Sequence, residues 1–481
     1  MSVLRGLVVG FVMAAAVVCG AQQTVPVMMI SDIHFDPFHD PAKVARLRTA
    51  AVGAWEGILK GPDSATQEKD FDALQETCKA KGVDTPMPLL VSSLKAEKAQ
   101  EPMPLFVTVS GDLMAHKFDC KFKTMAPKAT EAEYSAFAAK TVAFVALELH
   151  ETFPHSPVYF ALGNNDSGCG DYAEDEDSAF LKSDGKSFAA DVLDAKNAAA
   201  IAAEFSQLGD YNVAMPKPFS HARLIVLQDI FESKKYLGCD GKEPLGNMTP
   251  SEIQIAWLRG QLSAAAAKHE VVWVMAHIPP GIDAYSTLTK FAEVCGGEKP
   301  TMFLGSKDLA DVLTEYAGTV RLGLFGHTHM DEMKLLHDDA GSGARVPIKL
   351  VPSITPVNGN DPAFTVAKVD VKTVTLVDYS VYAANNKTGV GTVWSREYTY
   401  SSTYKLPDYS AESLGKLMDG FVSDKAGTSA ASYAYQEFYF VGDRGISAIL
   451  KAAAMRMVWP GYACSMTEGG AKGFRECACK Q

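Results

Sequence analysis

Six short apolar runs break up this chain, at 27–30, 105–109, 158–162, 224–227, 271–275 and 322–325. They are mostly β-branched, aromatic or otherwise apolar, and Gly, Pro, Asp or Asn bounds them, which is the pattern of short buried strands. Helical patterns fall between several of them. Residues 131–151 are Ala-rich with apolar positions at helical spacing, and 251–267 opens with Ser251 and Glu252 after Pro250. Strands alternating with helices predict an α/β layered domain. The way the runs end constrains it further. Five of the six stop at Ser31-Asp32, Gly111-Asp112, Gly163-Asn164, His277 or Gly326-His327. Layered α/β folds gather ligands at the carboxyl ends of their strands, so this punctuation predicts one site built from five loops.

After His329 the pattern changes. Residues 348–351, 365–369 and 374–382 alternate as antiparallel strands do, and beyond about 400 the chain reads as helical and Tyr-rich. The expected organisation is a main domain over 22–400 and a helical, cysteine-containing extension over 401–481. Residues 62–81 and 167–184 read as long insertions near the site. There is no internal repeat.

The chain has 481 residues, 47% of them hydrophobic, enough for a large core. Its net charge of −12 does not suit non-specific binding to nucleic acid or anionic lipid, and no nucleic-acid-binding signature is present. An anionic phosphate substrate would need local cations, which bound metals supply. At the start, Arg5 precedes an apolar stretch at 7–18, and Gly20-Ala21 offers a small-residue cleavage site, so 1–21 reads as a secretory signal peptide. The alternatives are a membrane anchor and a lipoprotein attached through Cys19, the latter disfavoured by bulky Val18. No later run is a transmembrane candidate, so an exported protein is expected. Without Cys19, eight of the nine cysteines remain, an even number that suits disulfides in an exported chain. Cys464 is expected to bridge locally to Cys477 or Cys479. The sequence does not fix an oligomeric state.

The residues at the strand ends share one chemistry. Carboxylate, imidazole and amide oxygen together suit a borderline divalent ion such as Zn²⁺, with Mn²⁺ or Fe also accommodated. A carboxylate has two oxygens and can bridge two ions, and two bridged ions clamp a phosphoryl group and generate hydroxide near neutral pH. In this reading Asp32, His34 and His329 hold one ion. Asn164, His277 and His327 hold the other, and Asp112 bridges them. Asp36, His39 and Asp166 follow these motifs as possible orienting partners, and Tyr172 could line a cleft.

Asp32-Ile33-His34, Gly111-Asp112, Gly163-Asn164-Asn165-Asp166, His277 and Gly326-His327-Thr328-His329 together resemble the calcineurin-like metallophosphoesterase superfamily. Longer strings resemble its acid sphingomyelinase-like phosphodiesterases: Asp112-Leu113-Met114-Ala115-His116, His277-Ile278-Pro279-Pro280-Gly281 and Pro352-Ser353-Ile354-Thr355-Pro356. The resemblance implies a four-layer α-β-β-α sandwich of two mixed sheets, a dizinc site, an exported enzyme and His116 at the site as proton donor. It stops short of lipid extraction from membranes, because the chain before Val27 has no room for a saposin-like domain. Most such relatives carry histidine directly after the metal-binding asparagine; this chain has Asn165, which can hydrogen-bond a phosphate oxygen but cannot relay a proton. The Gly-Asn-Asn-Asp string resembles instead the endopolyphosphatases.

The expected function is therefore a secreted dinuclear-metal phosphoesterase. It would hydrolyse phosphodiester or phosphoanhydride bonds of a small-molecule or polymeric substrate by in-line attack of a metal-bound hydroxide. Asp112, Asn165 and His116 are its expected catalytic residues. The alternatives are an exported endopolyphosphatase or nucleotidase of the same fold, and a catalytically inactive, metal-containing binding protein.

Overall fold

The computed structural model describes residues 23–243, 248–338, 343–442 and 446–480. The expected signal segment, 1–21, lies outside them. Twelve strands form two six-stranded mixed sheets among the described residues. The strands are β1 (Thr24–Ile30), β2 (Val107–Ser110), β3 (Val158–Ala161), β4 (Tyr211–Ala214), β5 (Ala222–Val226), β6 (Val271–Met275), β7 (Val320–Phe325), β8 (Glu332–His337), β9 (Arg345–Leu350), β10 (Ala363–Asp370), β11 (Leu376–Ala384) and β12 (Trp394–Thr399). The first sheet runs β12-β11-β10-β1-β2-β3 and the second β4-β5-β6-β7-β9-β8.

Register sets where the site can form. Val109 pairs with both Ile30 and Phe160, so the carboxyl ends of parallel β1, β2 and β3 are level. In the second sheet Met275 pairs with both Val226 and Leu324, which levels β5, β6 and β7. Side chains alternate along a strand, and β6 uses both faces. Trp273 and Met275 join the main core with residues of the first sheet, while Val272 and Val274 pack in a second cluster with Leu258, Leu262, Leu309 and Val312. The Trp273 indole donates to the Val374 carbonyl at 2.9 Å, tying the sheets together. The order is helix, sheet, sheet, helix, as the resemblance implies.

The helices form where their ends are satisfied. Glu131–Thr152 and Pro250–Ala267 both begin with a capping box, Thr130 with Glu133 and Thr249 with Glu252. Between 62 and 81 lies the helix Gln67–Thr77. The strand expected at 374–382 begins later, at Leu376, because Val374 sits in a left-handed turn at φ 56°. After β12 the chain is helical, and Tyr404, Leu414, Phe421, Tyr435 and Trp459 from these helices belong to the main core.

All eight cysteines after Cys19 are paired: Cys78–Cys120, Cys169–Cys239, Cys295–Cys479 and Cys464–Cys477. The expected local bridge from Cys464 therefore goes to Cys477.

Glu97, in the helix Met87–Gln100, is 1% exposed. Burial lifts its carboxyl from an ordinary 4.5 to about 8. The unfolded chain releases this proton near 4.5 and the folded chain near 8, so stability falls as pH rises through that window. Glu97→Gln is expected to flatten this fall and to gain on the order of 3 kcal/mol relative to wild type at pH 8. Urea melts at pH 5 and pH 8 measure it; an unchanged pH slope would refute it.

Candidate metal centre

The expected site residues converge where the two sheets meet. Asp32 and His34 follow β1, Asp112 follows β2, Asn164 follows β3, His277 follows β6, and His327 and His329 follow β7. Asp32, His34, Asp112, His327 and His329 all have φ between 46° and 73°, in the left-handed region. For residues other than glycine that conformation costs roughly 1–3 kcal/mol each. Backbone hydrogen bonds hold it in place. Asp32 N–H donates to the Gly111 carbonyl at 3.0 Å and His34 N–H to the Asp112 carbonyl at 2.9 Å. Glycine is required beside two ligands by close approach. A Cβ at Gly163 would overlap the Asp112 carboxylate, and one at Gly326 the Ser31 hydroxyl.

Second partners aim the side chains. His34 Nδ1 donates to the Met114 carbonyl and His277 Nδ1 to the Ser110 carbonyl, both at 2.8 Å. A carbonyl only accepts, so each ring carries a proton on Nδ1 and turns Nε2 inward. The two Nε2 atoms lie 3.3 Å and 3.1 Å from Asp112 Oδ2. His329 Nε2 lies 3.4 Å from Asp32 Oδ1, and His327 Nδ1 faces His277 Nε2 at 3.3 Å. Asn164 Nδ2 donates to Asp171 at 2.8 Å, which fixes the amide and leaves Oδ1 pointing away from that bond.

These atoms fit divalent ions. His34 Nε2, Asn164 Oδ1 and His329 Nδ1 are buried without a hydrogen-bond partner. Such orphans are costly unless something else takes up their lone pairs. The electrostatics agree. Burial alone would lower His277, but the Asp112 and Asp32 carboxylates and the Ser110 carbonyl together lift the ring to about 10. Burial and neighbouring His277 push His327 down to about 3. The pocket demands positive charge at its centre that its own imidazoles supply unevenly. Asp112, His277 and His327 form one group able to hold an ion, and Asp32, His34 and Asp112 another. Asp112 belongs to both.

His116 lies beside them. Its ring stacks on His34 with centroids 3.9 Å apart, and its side chain is 32% exposed. Its Nδ1 donates to Asp84 Oδ1 at 2.9 Å, so Nε2 is the free edge. Lys121, fully buried, donates to Asp36 at 2.7 Å and lies 3.7 Å from Asp84. Asp36 is thus linked to His116 through Lys121 and Asp84. Asp166 accepts from the backbone N–H groups of Leu113, Met114 and Gly163 at 2.8–2.9 Å, holding two ligand loops. His39 instead contacts Gln67 and Phe71. Asn165 lies against the Asp112 carboxylate. Its backbone N–H and its Nδ2 both donate to Asp112 at 2.8 Å, so it clamps the carboxylate. Tyr172 N–H donates to the Asn164 carbonyl, and Lys235 lies over its ring at 4.5 Å.

Sequence reasoning missed Asp84 and Asp171. Neither sits in a recognisable motif, although Asp171 directly precedes Tyr172. It also missed the cleft beside His327. This cleft of about 810 Å³ is lined by Phe303, Glu332, Tyr439, Phe440 and Tyr462 among others.

Asp171→Ala frees the Asn164 amide to rotate. It is expected to weaken metal binding about 10–100-fold, read by competition with a chromogenic chelator. Unchanged affinity would mean the amide is held by other contacts.

Comparison with known proteins bears on this centre. The calcineurin-like phosphoesterase family model matches residues 25–331. Human acid sphingomyelinase-like phosphodiesterase 3b is 26% identical over 360 residues, 71% of this chain and 71% of that protein. Its mouse counterpart is 25% identical over 408 residues, 82% of this chain and 79% of that protein. Mouse cyclic GMP-AMP phosphodiesterase SMPDL3A is 27% identical over 205 residues, 40% of this chain and 43% of that protein.

Proposed function

Because the chain belongs to the calcineurin-like phosphoesterase family, we propose that it is a metal-dependent phosphodiesterase whose two divalent ions sit among the seven residues at the strand ends. Asp32, His34 and His329 would hold one ion and Asn164, His277 and His327 the other, with Asp112 available to both. The observation that carries this assignment is the set of inward, buried, unpartnered atoms, His34 Nε2 and Asn164 Oδ1 above all. Zn²⁺ suits the imidazole-rich donors best, and Mn²⁺ or Fe²⁺ also fits.

Bound there, such ions would supply Lewis acidity toward a phosphoryl group and acidify water near neutral pH. The chain's own residues do the rest. Asn165 fixes both oxygens of Asp112 and so sets its orientation. Asp84 holds the His116 ring through Nδ1 and keeps Nε2 directed away from itself, where a departing oxygen can take its proton. Thr355 donates to the same Asp84 oxygen at 3.2 Å, fixing the carboxylate in turn. The relatives named above are phosphodiesterases, and a diester whose leaving group is an alkoxide needs this proton. Four disulfides support an exported protein, with 1–21 as its signal peptide, 22–400 as the phosphoesterase domain and 401–481 as its helical extension.

A second reading, an exported endopolyphosphatase or nucleotidase, is favoured by one residue. Asn165 stands where most members that the chain resembles carry histidine, and phosphate leaving groups need less protonation. An inactive binding protein is disfavoured because none of the seven ligands is missing.

Assay of metal-loaded protein against bis-p-nitrophenyl phosphate, ATP, sphingomyelin and long-chain polyphosphate, with Asp112→Asn as blank, ranks the substrate classes. No turnover on any of them would refute the enzyme reading. His116→Ala is expected to lower kcat on an alkyl phosphodiester by about 10²–10⁴-fold and on ATP far less. Equal losses on both would exclude His116 as the proton donor.

A further inference from the structure

The helix Ile446–Met457 presents its apolar side outward. Ile449 is 69% exposed, Leu450 64% and Met457 80%. Ala453 and Ala454 are exposed too. Positions 449, 450, 453, 454 and 457 recur at helical spacing and make one continuous stripe with no polar side chain. Met455, on the other side, is 2% exposed and belongs to the main core. The stripe is therefore not the helix's buried seam. An exposed contiguous apolar face of this kind marks an interaction surface.

Its position says what covers it. Ala454 and Met455 line the cleft that reaches His327, and Tyr285 and Leu288 line the same cleft. Tyr285 is 71% exposed. A lipid surface docked on the stripe would present its head groups to this entrance.

Charge points the same way. The chain carries a net charge of −12, yet the helix Ile446–Met457 holds Lys451 and Arg456 and no acidic residue. Arg456 lies over the ring of Tyr433 at 5.1 Å, and that tyrosine is 52% exposed. An apolar stripe flanked by basic side chains and an exposed tyrosine is the composition of a helix that lies in a membrane interface.

We propose that the helix Ile446–Met457 docks this protein on a lipid surface, with Ile449, Leu450 and Met457 entering the head-group boundary beside the cleft. The use of the docked surface as a source of amphiphilic phosphoesters rests on the phosphodiesterase reading; the docking itself does not.

The test is flotation of the full mature protein with phosphatidylcholine vesicles, with and without phosphatidylserine. The comparison is the triple variant Ile449→Ser, Leu450→Ser, Met457→Ser. Wild type is expected to float, more strongly with phosphatidylserine. The variant is expected to lose roughly tenfold or more in vesicle partition, while its turnover of soluble bis-p-nitrophenyl phosphate stays at the wild-type level and so reports an intact fold. Wild type that floats with neither vesicle overturns the docking and leaves the phosphodiesterase reading untouched. A variant that floats as well as wild type overturns it equally. A wild-type dimer by light scattering that the variant breaks gives the stripe to a second copy and also overturns it. Flotation without turnover on any phosphoester would instead sink the phosphodiesterase reading alone.

Discussion

Asp112 is where the two sheets are joined chemically. It ends β2 of the first sheet, yet its Oδ2 lies 3.1 Å from His277, which ends β6 of the second. The same oxygen lies 3.3 Å from His34. A carboxylate this buried is costly in isolation, and removing one partner from such a pair costs more than the pair contributes. Burial raises its pKa, but the facing imidazoles and the Asn165 N–H hold it well below the usual carboxylate range. The charge therefore persists, and the loops after β1, β2, β3, β6 and β7 must arrange themselves around it.

That requirement accounts for the strain at the site. Five of the seven strand-end residues take left-handed backbone conformations, which Asp and His tolerate better than most residues but still at a cost. Buried carboxyl groups behind these residues hold the adjoining loops. Asp166 holds the loops after β2 and β3, and Asp229 accepts from the N–H groups of His277 and Ile278. Asp84 accepts from the His116 N–H at 2.9 Å, and Asp171 from the Asn164 amide. Each carboxyl accepts from an N–H group that would otherwise be free to turn.

Much of this was legible in the sequence because parallel strands buried on both faces read as unbroken apolar runs. β1, β2, β3, β6 and β7 were visible for that reason, and the polar residue that ends each run was visible with them. β4 and β12 were not, since YNVA and WSREYT carry polar residues and lie at sheet edges. β8 was hidden differently. Lys334 is buried there because its ammonium donates to the carbonyls of Ile282 and Ser465, a pairing made by tertiary contact alone. Asp84 and Asp171 were invisible on the same grounds. They come from irregular segments whose placement beside His116 and Asn164 has no periodicity to announce it.

The helices after β12 bear on the site through contacts of the same kind. Asp331, two residues past His329, receives the Tyr398 hydroxyl and the Lys349 ammonium, and its N–H donates to the Tyr439 carbonyl at 3.2 Å. Tyr439 in turn donates to Glu332 at 3.4 Å and lines the cleft beside His327. Cys295–Cys479 fastens the final helix to the segment that follows Tyr285 and Leu288. One wall of the cleft is thus tied to the segment after His329 by a backbone hydrogen bond, and the other to the final helix by a covalent bond. The cleft can keep a fixed shape only while both ties hold, so its lining and the residues at the strand ends are parts of one packed unit.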